Sequence, residues 1–161
     1  MKVIRIDSPL GSSPIKASVM TDSAVRPHRR PLFLPPGSWE CEIRPAVRID
    51  RLGKAIAAKF APRYYSEFAL VNYLRPADGS ADPLADMTDD AVVTGDWRPM
   101  AEMAAHAAFS QPEFDSLVEA LSLNTTFKTG DIIILPAVLK SFSPAINQEI
   151  NFDNILQFRI K

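Results

Sequence analysis

The sequence predicts a mainly β protein with minor α, and three observations carry that prediction. Apolar and polar residues alternate with a period of two in Val3–Ile6 and again from Trp39 to Ile43, as in strands with one face buried. Fourteen prolines stand against six glycines, and Pro27, Pro31, Pro35, Pro36 and Pro45 deny the first half any long helix. A clear helical period appears in one segment, where Phe114, Leu117, Val118 and Leu121 fall at i, i+3, i+4 and i+7.

In chain order, residues 2–6 read as a strand, residues 15–20 as a candidate second one, and Pro31–Pro35 as a short apolar edge piece. Pro36-Gly37-Ser38 signals a turn. Trp39 to Ile49 is the most informative strand: Trp39, Cys41 and Ile43 share one face, Glu40, Glu42 and Arg44 the other. Pro45 cannot donate to a ladder, which predicts an edge strand or a bulge. Pro62 is suited to the first position of a short helix over Arg63–Phe68, with a buried strand over Ala69–Leu74 after it. Residues 76–90 form a loop, and Met100–Phe109 fits either a helix or a strand. Pro112 opens the amphipathic helix Glu113–Leu121. Lys128-Thr129-Gly130-Asp131 turns into the apolar strand Ile132–Leu135, and Ile150–Ile160 reads as a closing hairpin turning near Asp153-Asn154.

At 161 residues, 47% of them hydrophobic, the chain reads as one globular domain spanning 1–161. No apolar run is long enough for a membrane span, and the early charges of Met1–Asp7 do not suit a signal peptide, so the expected location is cytoplasmic. One cysteine, Cys41, excludes an internal disulfide and a multi-cysteine zinc site. The net charge of -1 hides an asymmetry: residues 1–80 carry 13 Lys/Arg against 7 Asp/Glu, residues 81–161 carry 5 against 12. The cations are spread singly with no nucleic-acid motif, so complementary halves are expected and nucleic acid is not.

Glu40-x-Glu42 is the strongest chemical candidate. Two carboxylates on one strand face suit a hard divalent cation if another element supplies a third ligand; otherwise they face water. His28, beside Arg26, Arg29 and Arg30, reads as a solvated loop residue, and His106, among alanines, as a packed one. Cys41 points away from the glutamates and reads as a small buried hydrophobe. The loop aspartates Asp82, Asp86, Asp89, Asp90 and Asp96 lack the spacing of a calcium loop.

Several segments together resemble the fumarylacetoacetate hydrolase family, bacterial branch. They are Trp39-Glu40-Cys41-Glu42-Ile43, Leu52-Gly53-Lys54, Lys59-Phe60-Ala61-Pro62-Arg63-Tyr64-Tyr65, and Thr126-Phe127-Lys128-Thr129-Gly130-Asp131-Ile132-Ile133. Met20–Ala24 and Ile150–Lys161 also resemble family segments, so the likeness runs through the chain with shortened stretches. The resemblance implies a mixed β-roll like the family's C-terminal domain and a homodimer. It also implies Mg²⁺- or Ca²⁺-dependent chemistry on oxo-acid or β-diketo substrates, in which the metal stabilises an enolate or carbanion.

It assigns two metal ligands to Glu40 and Glu42, and it locates departures as well. Tyr73 stands where the third carboxylate is expected, with Ala77 in place of an arginine and Asp78 keeping the last aspartate of that motif. Asp86 falls at or near a lysine position, Leu135-Pro136-Ala137-Val138 replaces a threonine-bearing loop, and Ile6–Leu10 replaces a histidine-bearing segment. The reading is therefore a diverged, non-catalytic member acting as a scaffold or as a partner- or small-ligand-binding protein, with Tyr73 and Asp78 as ligand-binding residues. No cofactor is expected unless Glu40 and Glu42 retain Mg²⁺ or Ca²⁺. The alternative is a metal-dependent hydrolase, decarboxylase or isomerase with a rebuilt site, drawing on Tyr73, Asp78 or His106.

Overall fold

A computed structural model describes residues 1–80 and 82–161. Nine strands form one curled sheet: β1 (Val3–Ile6), β2 (Ala17–Met20), β3 (Val25–Pro27), β4 (Trp39–Ile49), β5 (Tyr65–Pro76), β6 (Val92–Thr94), β7 (Arg98–Pro99), β8 (Ile132–Ile134) and β9 (Lys140–Phe142). The main order is β2-β1-β8-β4-β5-β6-β3, with β7 beside β5 and β9 beside β4. β10 (Glu149–Phe152) and β11 (Leu156–Arg159) form a separate hairpin, and α1 spans Gln111–Asn124. The mainly β class with minor helix holds.

The alternation read from the sequence distributes the core over the two sheet faces. Ile4, Ile6, Ile43, Val47, Phe68, Leu70 and Ile133 pack with Phe114, Leu117 and Val118 of α1. Phe114 is fully buried and meets Tyr65 edge-on, ring centroids 4.8 Å apart. The opposite face carries Val3, Ala46, Val71, Tyr73, Ile132 and Ile134 in a second cluster. Val3 and Tyr73 share their strand faces with Arg5 and Arg75, so the charged residues of β1, β4 and β5 flank this second cluster.

Three local expectations change. Pro45 lies inside the sheet, because β4 pairs with β5 on one side and with β8 and β9 on the other. Its carbonyl accepts from Leu135 N–H at 2.8 Å and Ile43 carbonyl from Leu139 N–H at 2.8 Å, so the missing donor falls at the gap between β8 and β9. The short helix is a 3₁₀ segment at Ala58–Tyr64 with Pro62 inside it, and the strand begins at once at Tyr65. Pro62 has no N–H to donate in either kind of helix, and the segment ends two residues after it. Met100–Ala105 is likewise 3₁₀. Leu32 makes only an isolated bridge to Ile160. The hairpin turn falls where expected, with Asp153 and Asn154 at φ 53° and 60°.

The lysine–glycine–aspartate turn is a clamp. Asp131, fully buried, accepts from Lys2 N–H and Lys2 Nζ at 2.7 Å each and from Lys128 N–H at 2.8 Å. Gly130 adopts φ 94°, which a side chain would strain.

Candidate functional site

β4 and β5 place Glu42 directly opposite Tyr73, and Glu40 opposite Arg75. The two glutamates share a face, as the alternation predicts, yet they turn to different partners. Glu40 Oε1 accepts from Ser141 Oγ on β9 at 2.6 Å. Glu42 accepts a charge-assisted bond from Arg75 Nε, and Arg44 Nη1 lies 3.8 Å from its other oxygen.

Arg44 is 4% exposed and fills the space beyond the end of β8. Its Nε donates to Leu135 carbonyl at 2.7 Å and its Nη2 to Ile6 carbonyl. Burial lowers its pKa, an effect the neighbouring carboxylates of Glu42 and Asp7 oppose. Arg5 reaches across the sheet from β1. Nε donates to Asp7 Oδ1 at 2.8 Å, while Nη1 donates to the Tyr73 hydroxyl at 2.6 Å and to Asp86. The Tyr73 ring lies under both cations, 4.8 Å from Arg5 and 5.8 Å from Arg44. Burial raises the Tyr73 pKa although both arginines pull it down, so the phenol stays neutral near pH 7.

Above these residues opens a cleft of about 700 Å³ lined by Arg5, Lys16, Arg44 and Arg75 against Asp7 and Glu42. Its lining thus holds four cationic side chains and two carboxylates, and Lys16 has no ion-pair partner among the described residues. Asp78 does not line the cleft. It is exposed, and its carboxylate accepts from Ser80 N–H at 2.9 Å, fixing the turn whose Gly79 and Ser80 do line it.

The donor set does not suit a divalent cation. A hard cation requires converging anionic oxygens, and the third position here is a neutral phenol beside a guanidinium. The carboxylate of Glu42 is already neutralised by Arg75, and that of Glu40 is turned toward β9. Among the described residues no group of three or more His, Cys, Asp or Glu side chains converges to hold a metal.

The sequence pointed to Glu42 and Tyr73 and placed Arg44 on the glutamate face without giving it a role, but missed Arg5 and Arg75, which come from two other strands. Alternation alone places Arg44 on the glutamate face; Arg75 needs the β4–β5 register, and Arg5 the parallel β1–β8 pairing as well. The remaining candidates are used elsewhere. His28 is half-buried rather than solvated, and its ring is engaged: its Nδ1 accepts from Gln157 N–H at 3.1 Å and its Nε2 pairs with Asp96 at 2.8 Å. His106 packs near Phe68 and binds Asp153 at 2.9 Å. Of the loop aspartates, Asp86 serves Arg5 and Asp90 serves Arg26 at 2.8 Å. Cys41 is fully buried, and burial pushes its thiol up to about 11.

By sequence the chain matches no protein family and no curated protein. In structure it is similar to a fumarylacetoacetate hydrolase family protein from Yersinia pestis, with a TM-score of 0.81 and 16% identity over 99% of this chain and 93% of that one. It is also similar to fumarylpyruvate hydrolase from Pseudomonas aeruginosa in complex with Mn²⁺ and pyruvate, with a TM-score of 0.76 and 14% identity, covering 99% and 89%. A third neighbour is 5-carboxymethyl-2-hydroxymuconate delta-isomerase from Mycobacterium smegmatis, with a TM-score of 0.75 and 16% identity, covering 99% and 77%. The chain therefore has the fold of the fumarylacetoacetate hydrolase family.

Proposed function

We propose that the chain is a non-catalytic protein on this fold, binding a small organic anion in the cleft above Glu42. One observation carries the reading: the Glu42 carboxylate, which the resemblance assigns to a metal, is held by Arg75 with Arg44 beside it. Fixed guanidinium charges occupy the electrostatic role of a cation there. They leave no open coordination position at which a dioxo group could be polarised, and polarisation of that kind is what metal-assisted C–C cleavage requires. The excess of cations in the lining supports an anionic ligand, with Lys16 and the cleft-facing side of Arg44 as its partners.

Calorimetry with Mg²⁺ and Mn²⁺ tests the metal part, with no heat of binding expected. Pyruvate, which the Pseudomonas aeruginosa neighbour binds together with Mn²⁺, is the first anion to titrate, in the presence of EDTA. Weak binding without metal, reduced in Lys16→Gln, is the expected result. Metal-dependent turnover of an acylpyruvate or of oxaloacetate that vanishes in Glu42→Ala would overturn the reading in favour of a rebuilt enzyme. The same proposal includes a two-fold dimer in solution; light scattering at the 17.8 kDa monomer mass would remove that part.

A further inference from the structure

We infer that a second anion site lies outside this cleft, in the groove between residues Arg29–Pro31 and the β10–β11 hairpin, and that it takes a small phosphate-bearing ligand. The two segments are far apart in sequence, and the backbone zips them together. Arg29 N–H donates to Gln157 carbonyl at 2.7 Å, Leu32 N–H to Arg159 carbonyl at 2.8 Å, and Lys161 N–H to Leu32 carbonyl at 2.8 Å. The pairing sets Arg29, Arg30, Arg159 and Lys161 around a concavity of about 470 Å³. That volume is within the range of small-molecule sites.

Four cationic side chains meet one side-chain carboxylate there, Glu149, on a chain whose net charge is -1. Glu149 is bound to Arg159, and Arg29 Nη2 stands 3.6 Å from Asp96. Among the described residues, neither Arg30 nor Lys161 forms an ion pair with an Asp or Glu side chain. Gathering like charges costs free energy that an anion of two or more charges removes.

A second cost falls at the same place. Arg29 adopts φ 67°, a left-handed conformation that costs an L side chain free energy and is held here by its bond to Gln157. The conformation lies beside the groove that Arg29 lines. A carboxylate could be met by one guanidinium; several cations around a pocket match the three oxygens and double charge of a phosphate monoester. The Gln157 side chain also lines the groove and offers an amide to the rest of such a ligand.

The test titrates inorganic phosphate into ¹⁵N-labelled protein and follows amide shifts, against sodium chloride at matched ionic strength. Saturable shifts confined to residues 29–32 and 149–161 are expected, with millimolar affinity. The exposed double variant Arg30→Gln/Lys161→Gln should weaken binding at least tenfold with an unchanged spectrum elsewhere. Lys16→Gln, in the other cleft, should leave it intact. Shifts reproduced by chloride, or spread over basic residues of the whole surface, would overturn the site. So would phosphate binding that the double variant retains. A short oligonucleotide that binds far more tightly than phosphate with a footprint beyond the groove would overturn the small-ligand assignment.

Discussion

Lys2 and Asp131 are joined twice, by the Lys2 backbone amide to Oδ1 and by its ammonium to Oδ2, both at 2.7 Å. Burial pushes the Asp131 carboxyl up, but the bonds from Lys2 and Lys128 outweigh it and hold the pKa below the usual carboxylate value. A depressed folded pKa contributes stability that is complete above the unfolded value of about 3.9 and is lost as pH falls through the folded one. Acid unfolding should therefore steepen below about pH 4 in the wild type. In Asp131→Asn that component should be absent. Asp131→Ala should cost about 3 kcal/mol in urea unfolding at pH 7, since it leaves an ammonium and two amides without their acceptor.

Gly95 should not tolerate alanine. A Cβ there would lie 2.3 Å from Ile155 carbonyl and 2.9 Å from Leu70 carbonyl, both of them backbone atoms. The same segments are tied at this point by Gly95 N–H to Leu70 carbonyl at 2.9 Å and Asp96 N–H to Ile155 carbonyl at 2.8 Å. Gly95→Ala is expected to cost about 3 kcal/mol, read as a lower urea midpoint.

Cys41 should be inert in the folded protein. Its sulfur is buried, its pKa is raised to about 11, and Asn72 Nδ2 lies at 3.5 Å. An aromatic disulfide reagent should label no thiol at pH 8 under native conditions and one per chain in denaturant. Fast native labelling would contradict the buried face of β4.

Restoring a metal site should need two changes. The resemblance by itself predicts that Tyr73→Asp suffices, because it returns a third carboxylate opposite Glu42. The structure adds that Arg75 still holds Glu42. Tyr73→Asp should therefore bind Mn²⁺ barely, and Tyr73→Asp/Arg75→Met measurably, by calorimetry or Mn²⁺ paramagnetic resonance. Equal binding by the single and double variants would show that Arg75 does not block the site.

Phe114 is the anchor of α1. Fully buried against Tyr65 and near Phe109, it should cost about 3–5 kcal/mol on replacement by alanine. Loss of the helical signal at a lower denaturant concentration would register this.

The sequence by itself determined which residues face which way. Alternation in β4 set Glu40, Glu42 and Arg44 on one side and Cys41 and Ile43 on the other, and the 3.6-residue period of Phe114, Leu117 and Val118 fixed the buried stripe of α1. Those are local consequences of backbone geometry, readable from neighbours in the chain. Proline chemistry was legible only in part: a missing donor at Pro45 suggests an edge, but the gap between β8 and β9 absorbs it inside the sheet. Only the tertiary structure decided the electrostatics. Whether Glu42 binds a metal or a guanidinium depends on Arg75 across the β4–β5 ladder and on Arg44 turning into the space where β8 ends. Whether Tyr73 is a ligand or a cation-stacked wall depends on Arg5, which lies 68 residues away and arrives through β1 and β8. Coulomb interactions follow distance in space, so partners set by long-range strand pairing leave no periodic mark in the sequence.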